Sequence, residues 1–256
     1  MIAKSKYPIL EYDDNRESVI KPIKPTTNES VSQYCVLCFF QEVIDQLKNE
    51  YNLKKISEVK TIMGPQPIYQ FDYNGSNLVI VQPGLGSAFS AGVLEELIAL
   101  GCNKFIASGT CGVLLNDIKP GEVIVPTSAI REEGVSYHYM APAREVNADK
   151  SINELTVESL KNTGIPYRIG KIWTSDGFYR ETKEKIDLRR KEGCIAIEME
   201  AASLFAVAEF RNVKLGYILV GADDVSGATW DKRSGLTPME FRKRVIDCCI
   251  DTVLEM

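Results

Sequence analysis

Beyond residue 33 the spacing of apolar and polar positions changes repeatedly, and each change marks an element. Tyr34–Phe40 is a continuous apolar run of strand length. Gln41–Tyr51 then repeats apolar residues at Val43, Ile44, Leu47 and Tyr51, the stripe of a helix. Ile68–Tyr73 and Leu78–Gln82 flank Asn74-Gly75, which predicts a hairpin. A glycine loop, Pro83-Gly84-Leu85-Gly86-Ser87, precedes a helix from about Ser90 to Leu100, with Gly101 as its stop. The strand Lys104–Ser108 leads to a second glycine loop, Gly109-Thr110-Cys111-Gly112. Further strands are predicted at Val123–Pro126, Tyr167–Trp173, Cys194–Ile197 and Leu215–Val220. Further helices are predicted at Ile152–Thr163, Glu181–Lys191, Glu198–Arg211 and from Thr237-Pro238 to about Leu254.

Such alternation predicts an α/β fold, a single-domain α/β sandwich with a central mixed β-sheet flanked by helices. Residues 1–33 carry Pro8, Pro22 and Pro25 and no period, so they read as an irregular arm on the surface or on a neighbouring subunit. Residues 34–256 form the domain. Sheets of this kind bind ligands at the carboxyl ends of their strands. Four such ends carry unusual residues: Gly84–Ser87, Gly109–Gly112, Glu198-Met199-Glu200 and Asp223-Asp224.

Composition narrows the class. With 256 residues, 45% of them hydrophobic and 25% charged, the chain has the balance of a soluble globular protein. The net charge of −5 argues against a nucleic-acid partner. The longest apolar stretches, Cys35–Phe40 and Ala201–Ala208, are too short to cross a bilayer, and the N-terminus has no apolar signal-peptide core. No membrane partner and a cytoplasmic location are expected. Cys35 and Cys38 form one CxxC inside an apolar run, which reads as buried thiols. A single histidine, His138, cannot build a His-rich metal site, and no metal is expected.

Glycines at Gly84, Gly86 and Gly109 allow a ligand to approach the backbone, and Thr110 offers a hydroxyl to a phosphate or a sugar. The Gly84-Leu85-Gly86 loop lacks the third glycine of a dinucleotide fingerprint, and a plain tight turn also explains it. Glu198 and Glu200 flank Met199 where a buried strand becomes an apolar helix. A carboxylate there must be hydrogen-bonded, and a vicinal diol gives one carboxylate two donors; helix-terminal N–H groups would serve as well. Asp223 and Asp224 end an apolar strand, where adjacent side chains point to opposite faces. Two neighbouring carboxylates raise one pKa, which suits a general acid, although a turn or cap also suits an Asp. Phe178 offers an aromatic face to a flat base, or to the core.

Together, GTCG at 109–112, KPGEVIVPTSA at 119–129, GVSYHYMAP at 134–142, TSDGFY at 174–179 and IEMEAASLFAVAEF at 197–210 resemble the nucleoside phosphorylase superfamily. This branch holds purine nucleoside phosphorylase, uridine phosphorylase and the methylthioadenosine nucleosidases. The resemblance implies cleavage of an N-ribosidic bond, no organic cofactor, and inorganic phosphate as a possible co-substrate. By position, Glu200 resembles the residue that binds the ribose hydroxyls, with Met199 against the sugar. Phe178 matches the aromatic on the base, and Asp224 the acid that protonates a purine. Thr110 matches a phosphate contact. A homo-oligomer with shared active sites is implied, with Lys60 lent across an interface.

The chain also departs from that pattern. Val43 and Ala107 stand where phosphorylases keep arginines, which leaves Lys60, Thr110, backbone N–H groups and Arg131 for a phosphate. Glu42 falls near the water-orienting carboxylate of the nucleosidases. The stretch 120–142, with His138, resembles uridine phosphorylase, whereas Asp224 favours a purine. The expectation is therefore a nucleoside phosphorylase acting on a small nucleoside, purine before uridine. A hydrolytic nucleosidase giving free ribose is the alternative, and a degenerate nucleoside-binding protein a third.

Overall fold

The computed structural model describes residues 2–256. Its strands are β1 (Tyr34–Cys38), β2 (Lys54–Thr61), β3 (Gly64–Tyr73), β4 (Ser76–Val81), β5 (Lys104–Val113), β6 (Val123–Glu132), β7 (Glu145–Asn147), β8 (Tyr167–Ser175), β9 (Cys194–Glu198) and β10 (Lys214–Asp224). The helices are α1 (Gln41–Tyr51), α2 (Ser87–Leu100), α3 (Lys150–Thr163), α4 (Lys183–Lys191), α5 (Ala201–Arg211) and α6 (Met239–Leu254). The strands run in the order β10-β6-β8-β9-β5-β1-β4-β3-β2, with β7 on β6 and a further pairing of β10 with β5. That last pairing closes β5, β10, β6, β8 and β9 into a ring. Strands β1, β4, β3 and β2 extend from it as an open sheet. Parallel and antiparallel pairs are mixed.

Strand alternation assigns the two faces. Cys35, Leu37, Phe105 and Ala107 pack with α2 and α5, while Val36, Cys38 and Ile106 pack with α1, α3 and α6. Helix α5, itself rich in alanine, is buried almost all round, with α2 on one side and the sheet on the other. A smaller cluster of Leu114, Ile130, Trp173, Ile186 and Ile197 fills the region under α4.

Several elements differ from the sequence expectation. Strand β5 runs straight through Gly109–Gly112, which had read as a loop. The glycines are needed for close approach: a Cβ on Gly109 would lie 3.2 Å from the Phe39 ring, and one on Gly112 3.2 Å from Ile197. Strand β10 likewise continues to Asp224, with a register shift against β5 between Gly221 and Asp223. Strand β2 was not expected, because its charged residues dilute the apolar signal, and β6 runs on to Glu132. Helix α5 begins at Ala201 rather than Glu198, and Glu198 closes β9.

Apart from a 3-10 turn at Pro8–Leu10, residues 2–33 contain no helix or strand. Arg16 ties this arm to the body by donating to the Phe210 carbonyl at 2.7 Å. Among the described residues no helix is long and apolar enough to cross a membrane.

Candidate active site

The strand ends of the ring open on a cleft of about 610 Å³, a size suited to a small molecule. At its floor lies the corner between β9 and α5. Glu198 Oε2 accepts from the N–H groups of Glu200 and Ala201, both at 2.7 Å, and Oε1 accepts from the Thr174 hydroxyl. One oxygen therefore serves the start of α5 and the other is bound by Thr174 of β8. Glu198, expected with Met199 and Glu200 at the ribose, lines the cleft, but its hydrogen bonds go to protein groups, because an apolar helix start buried in the core needs its own N–H groups satisfied.

Glu200 is held differently. Its Oε1 accepts from the Gly86 N–H at 2.6 Å, and its other oxygen has no protein partner among the described residues. Gly86 has a φ of 85°, which a side chain would oppose. The Gly86 N–H is thus committed to Glu200, which corrects its reading as a phosphate donor. The Ser87 hydroxyl donates to the Met199 carbonyl at 2.7 Å and fastens the start of α2 to the same corner.

Burial pushes both Glu198 and Glu200 well above the usual carboxylate range. Glu200's charge adds to the rise at Glu198, and Asp176's charge adds to it at Glu200. Burial together with the Glu200 charge takes Glu198 up to about 8, and burial takes Glu200 up to about 7, so Glu200 ionises first and the proton that this pair retains toward neutrality sits on Glu198.

The end of β10 sorts the two aspartates. Ala222 is the extra residue of the bulge, and after it Asp223 faces the cleft. Asp223 Oδ2 accepts from the Trp230 indole at 2.7 Å. Its carboxylate lies against Gly112, where a Cβ would come within 3.4 Å of it. Burial raises its pKa. Asp224 turns away and does not line the cleft. It binds the Arg233 guanidinium at 2.6 Å and accepts from the Ser226 N–H at 2.8 Å. Burial alone would raise Asp224, but the Ser226 hydrogen bonds and Arg233 together hold it below its ordinary value. The expectation that Asp224 meets the base is corrected: the bulge gives that position to Asp223.

Phe178, Tyr179 and Trp230 line the mouth, the first two with ring centroids 4.1 Å apart. Beside them stands Glu181, whose carboxyl is pushed up to about 7 by burial and by the charges of Asp223 and Glu132. At the opposite end are Phe39, Phe40, Glu42, Gly109, Thr110 and Arg242. Glu42 is ion-paired with Arg242 from the first turn of α6. Lys60 is not on the cleft; it borders a separate groove with Lys24, Lys55 and Glu96. Arg131 is buried and spent on Ser136 and the carbonyls of Met140 and Ala141, so it is withdrawn as a phosphate ligand. All seven cysteines are free and buried.

Of the residues singled out from sequence, Glu42, Gly109, Thr110, Phe178, Glu198, Met199, Glu200 and Asp223 share this cleft. Sequence reasoning missed Glu181, Trp230 and Arg242, and it ranked Asp224 above Asp223. Arg242 lies 200 positions from the Glu42 it meets, on an otherwise ordinary amphipathic helix. No local spacing marks it.

A cleft of this size, with a buried carboxyl on its floor and a second carboxyl at an aromatic mouth, has the make-up of a small-molecule site. The family model described as the phosphorylase superfamily matches residues 33–256, and the chain belongs to that superfamily. It is 30% identical over 217 residues to a guanosine phosphorylase of Halorubrum lacusprofundi, covering 85% of this chain and 82% of that protein. It is also 30% identical to a DeoD-type purine nucleoside phosphorylase of Mannheimia succiniciproducens, covering 80% of this chain and 82% of that protein. A crystal structure of uridine phosphorylase from Vibrio fischeri shares the fold, with a TM-score of 0.75 at 22% identity and 98% of each chain covered. Purine and uridine nucleoside phosphorylases need no cofactor and use phosphate as a co-substrate.

Proposed function

We propose that this chain is a purine nucleoside phosphorylase, releasing a free base and ribose 1-phosphate. The observation that carries this reading is Asp223, a half-buried carboxyl with a raised pKa facing the cleft across from Glu200. Breaking a ribose–base bond builds positive charge on the sugar and negative charge on the leaving base. Asp223, whose burial favours the protonated form, gives its proton to a purine ring nitrogen as the bond breaks. Glu200 holds the ribose diol with its free oxygen, and its carboxylate offsets the charge that develops on the ring. Met199 packs on the sugar, and Phe178 with Tyr179 covers the base. The guanosine and purine nucleoside phosphorylases among the relatives support the same base class.

Glu42 on the cleft wall, with Val43 and Ala107 buried and apolar where phosphorylases keep arginines, favours a second reading. In that reading a hydrolytic nucleosidase uses Glu42 to orient water. The discriminating test is product identity from a panel of purine and pyrimidine nucleosides over a phosphate titration. Ribose 1-phosphate from purine nucleosides is expected. Free ribose formed at a rate indifferent to phosphate would replace the first reading with the second.

Assembly as a homo-oligomer belongs to the same proposal. Val19, Ile20, Ile62 and Met63 are apolar and largely exposed, which supports burial against another copy.

A further inference from the structure

The cleft is electrostatically lopsided. Five carboxylates line it, those of Glu42, Glu181, Glu198, Glu200 and Asp223, against one cation, Arg242. A phosphate dianion entering such a site needs a guanidinium or an equivalent set of donors. Val43 and Ala107 supply none, since both are fully buried among apolar neighbours.

Arg242 reaches the cleft from an element that is not adjacent in the sheet. Its Nε donates to the Thr237 carbonyl at 3.1 Å, which fixes the plane of the guanidinium. The group lies over the Phe40 ring, 5.6 Å from its centroid, and Nη1 pairs with Glu42. Nη2 has no protein partner among the described residues. The side chains of Arg242 and Glu42 keep 31% and 40% of their exposure, so a small ion can reach both. Thr110, whose hydroxyl is likewise unpartnered, and Gly109 share that end of the cleft.

We propose that Arg242 is the guanidinium that holds the phosphate co-substrate, and that Glu42 is its resting counter-ion rather than a water-orienting base. The proposal rests on the phosphorolytic reading above. A carboxylate that stabilises Arg242 in the empty site repels a dianion bound to the same guanidinium. Phosphate therefore binds against Glu42, and its affinity is tuned by that pair. Removing the charge at position 42 should tighten phosphate, and removing the charge at position 242 should weaken it. The opposite signs make this pattern hard to mimic by general damage, because a poorly folded variant does not gain affinity.

The test is a phosphate titration of wild type, Glu42→Gln, Arg242→Gln and Arg242→Lys at saturating nucleoside. Products are identified at each point, and thermal unfolding is followed with phosphate alone. Glu42→Gln should lower the phosphate KM by about 5- to 10-fold. Arg242→Gln should raise it by about 10- to 100-fold, the loss of one charge-assisted hydrogen bond. Arg242→Lys should fall between, and phosphate should raise the melting temperature of Glu42→Gln more than that of wild type. If Arg242→Gln misfolds, the Lys variant and Glu42→Gln decide the matter by the same signs. An unchanged phosphate KM in the Arg242 variants, with ribose 1-phosphate still formed, would overturn the assignment while leaving phosphorolysis intact. Free ribose from wild type, with base release abolished in Glu42→Gln, would overturn both at once.

Discussion

Replacing Asp223 and Asp224 in turn by Asn separates catalysis from stability at two adjacent positions. At Asp223 the amide oxygen can still accept from Trp230 Nε1, the 2.7 Å bond that the carboxylate makes now. What disappears is the transferable proton. General acid catalysis is typically worth about 10²- to 10⁴-fold, or about 3–5 kcal/mol of barrier, and kcat on a purine nucleoside should fall by that amount. The melting temperature should hold or rise, because a half-buried carboxyl next to Glu181 is replaced by a neutral group. At Asp224 the cost falls elsewhere. Its pair with Arg233 leaves the two side chains only 14% and 7% exposed. Breaking a buried pair from one side costs about 3 kcal/mol at the low end, which for a chain of this size lowers the melting temperature by about 6–12 °C. The assay is steady-state base release beside a calorimetric melt. A nucleoside already alkylated at N7 supplies the control, since its base leaves without protonation and should restore most of the Asp223→Asn rate. A folded Asp224→Asn that loses more rate than Asp223→Asn would refute the assignment of the bulge.

Glu200→Gln should keep the Gly86 contact, cut kcat by roughly 10²-fold and raise the melting temperature at pH 8; unchanged kcat in a folded protein removes Glu200 from the chemistry. Glu181, Glu200 and Asp223 have folded pKa values above their unfolded ones, with Glu181 and Glu200 near 7, so their contribution is full below about pH 4 and is lost as pH rises through 7. Melting temperature should thus decline between pH 5 and 7.5. The lowered groups, such as Asp149 at about 2, change only in more acid solution, so a rise across this window would contradict the assignment. Glu181→Gln should shift the ratio of guanosine to adenosine cleavage toward adenosine, because a carboxylate accepts from the paired N–H donors of guanine; an unchanged ratio removes Glu181 from base recognition. Light scattering at micromolar concentration should find a homo-oligomer, and a monomer would contradict the assembly.

The sequence made the frame legible wherever one period ruled a segment. The stripe of Val43, Ile44 and Leu47 became α1, and Asn74-Gly75 turned the β3–β4 hairpin. It failed where tertiary contact overrode local chemistry. Gly109–Gly112 had the composition of a loop, yet the Phe39 ring and the Asp223 carboxylate need that bare backbone inside a strand. Glu198 and Glu200 were visible as a pair, but not the division of labour between them. That division depends on Thr174 from β8 and Gly86 before α2, both far away in sequence. The one-residue bulge at Ala222 is invisible to periodicity, and it exchanges the roles of two adjacent aspartates.

The same crowding of acids explains why the site is built as it is. A cleft lined by carboxylates is unfavourable when empty, and burial relieves it by raising the pKa of Glu198, Glu200, Glu181 and Asp223. In the transition state the sugar turns positive, and the carboxylate at its floor becomes an asset because the charge it opposes now exists. In the proposed reaction Asp223 gives its proton to the base at the same moment. An acid-rich cleft thus favours bond cleavage and opposes the dianion that must follow. One guanidinium, drawn from the far end of the chain and shielded by Glu42, lets both demands be met in the same cleft without adding a fixed positive charge beside the developing cation.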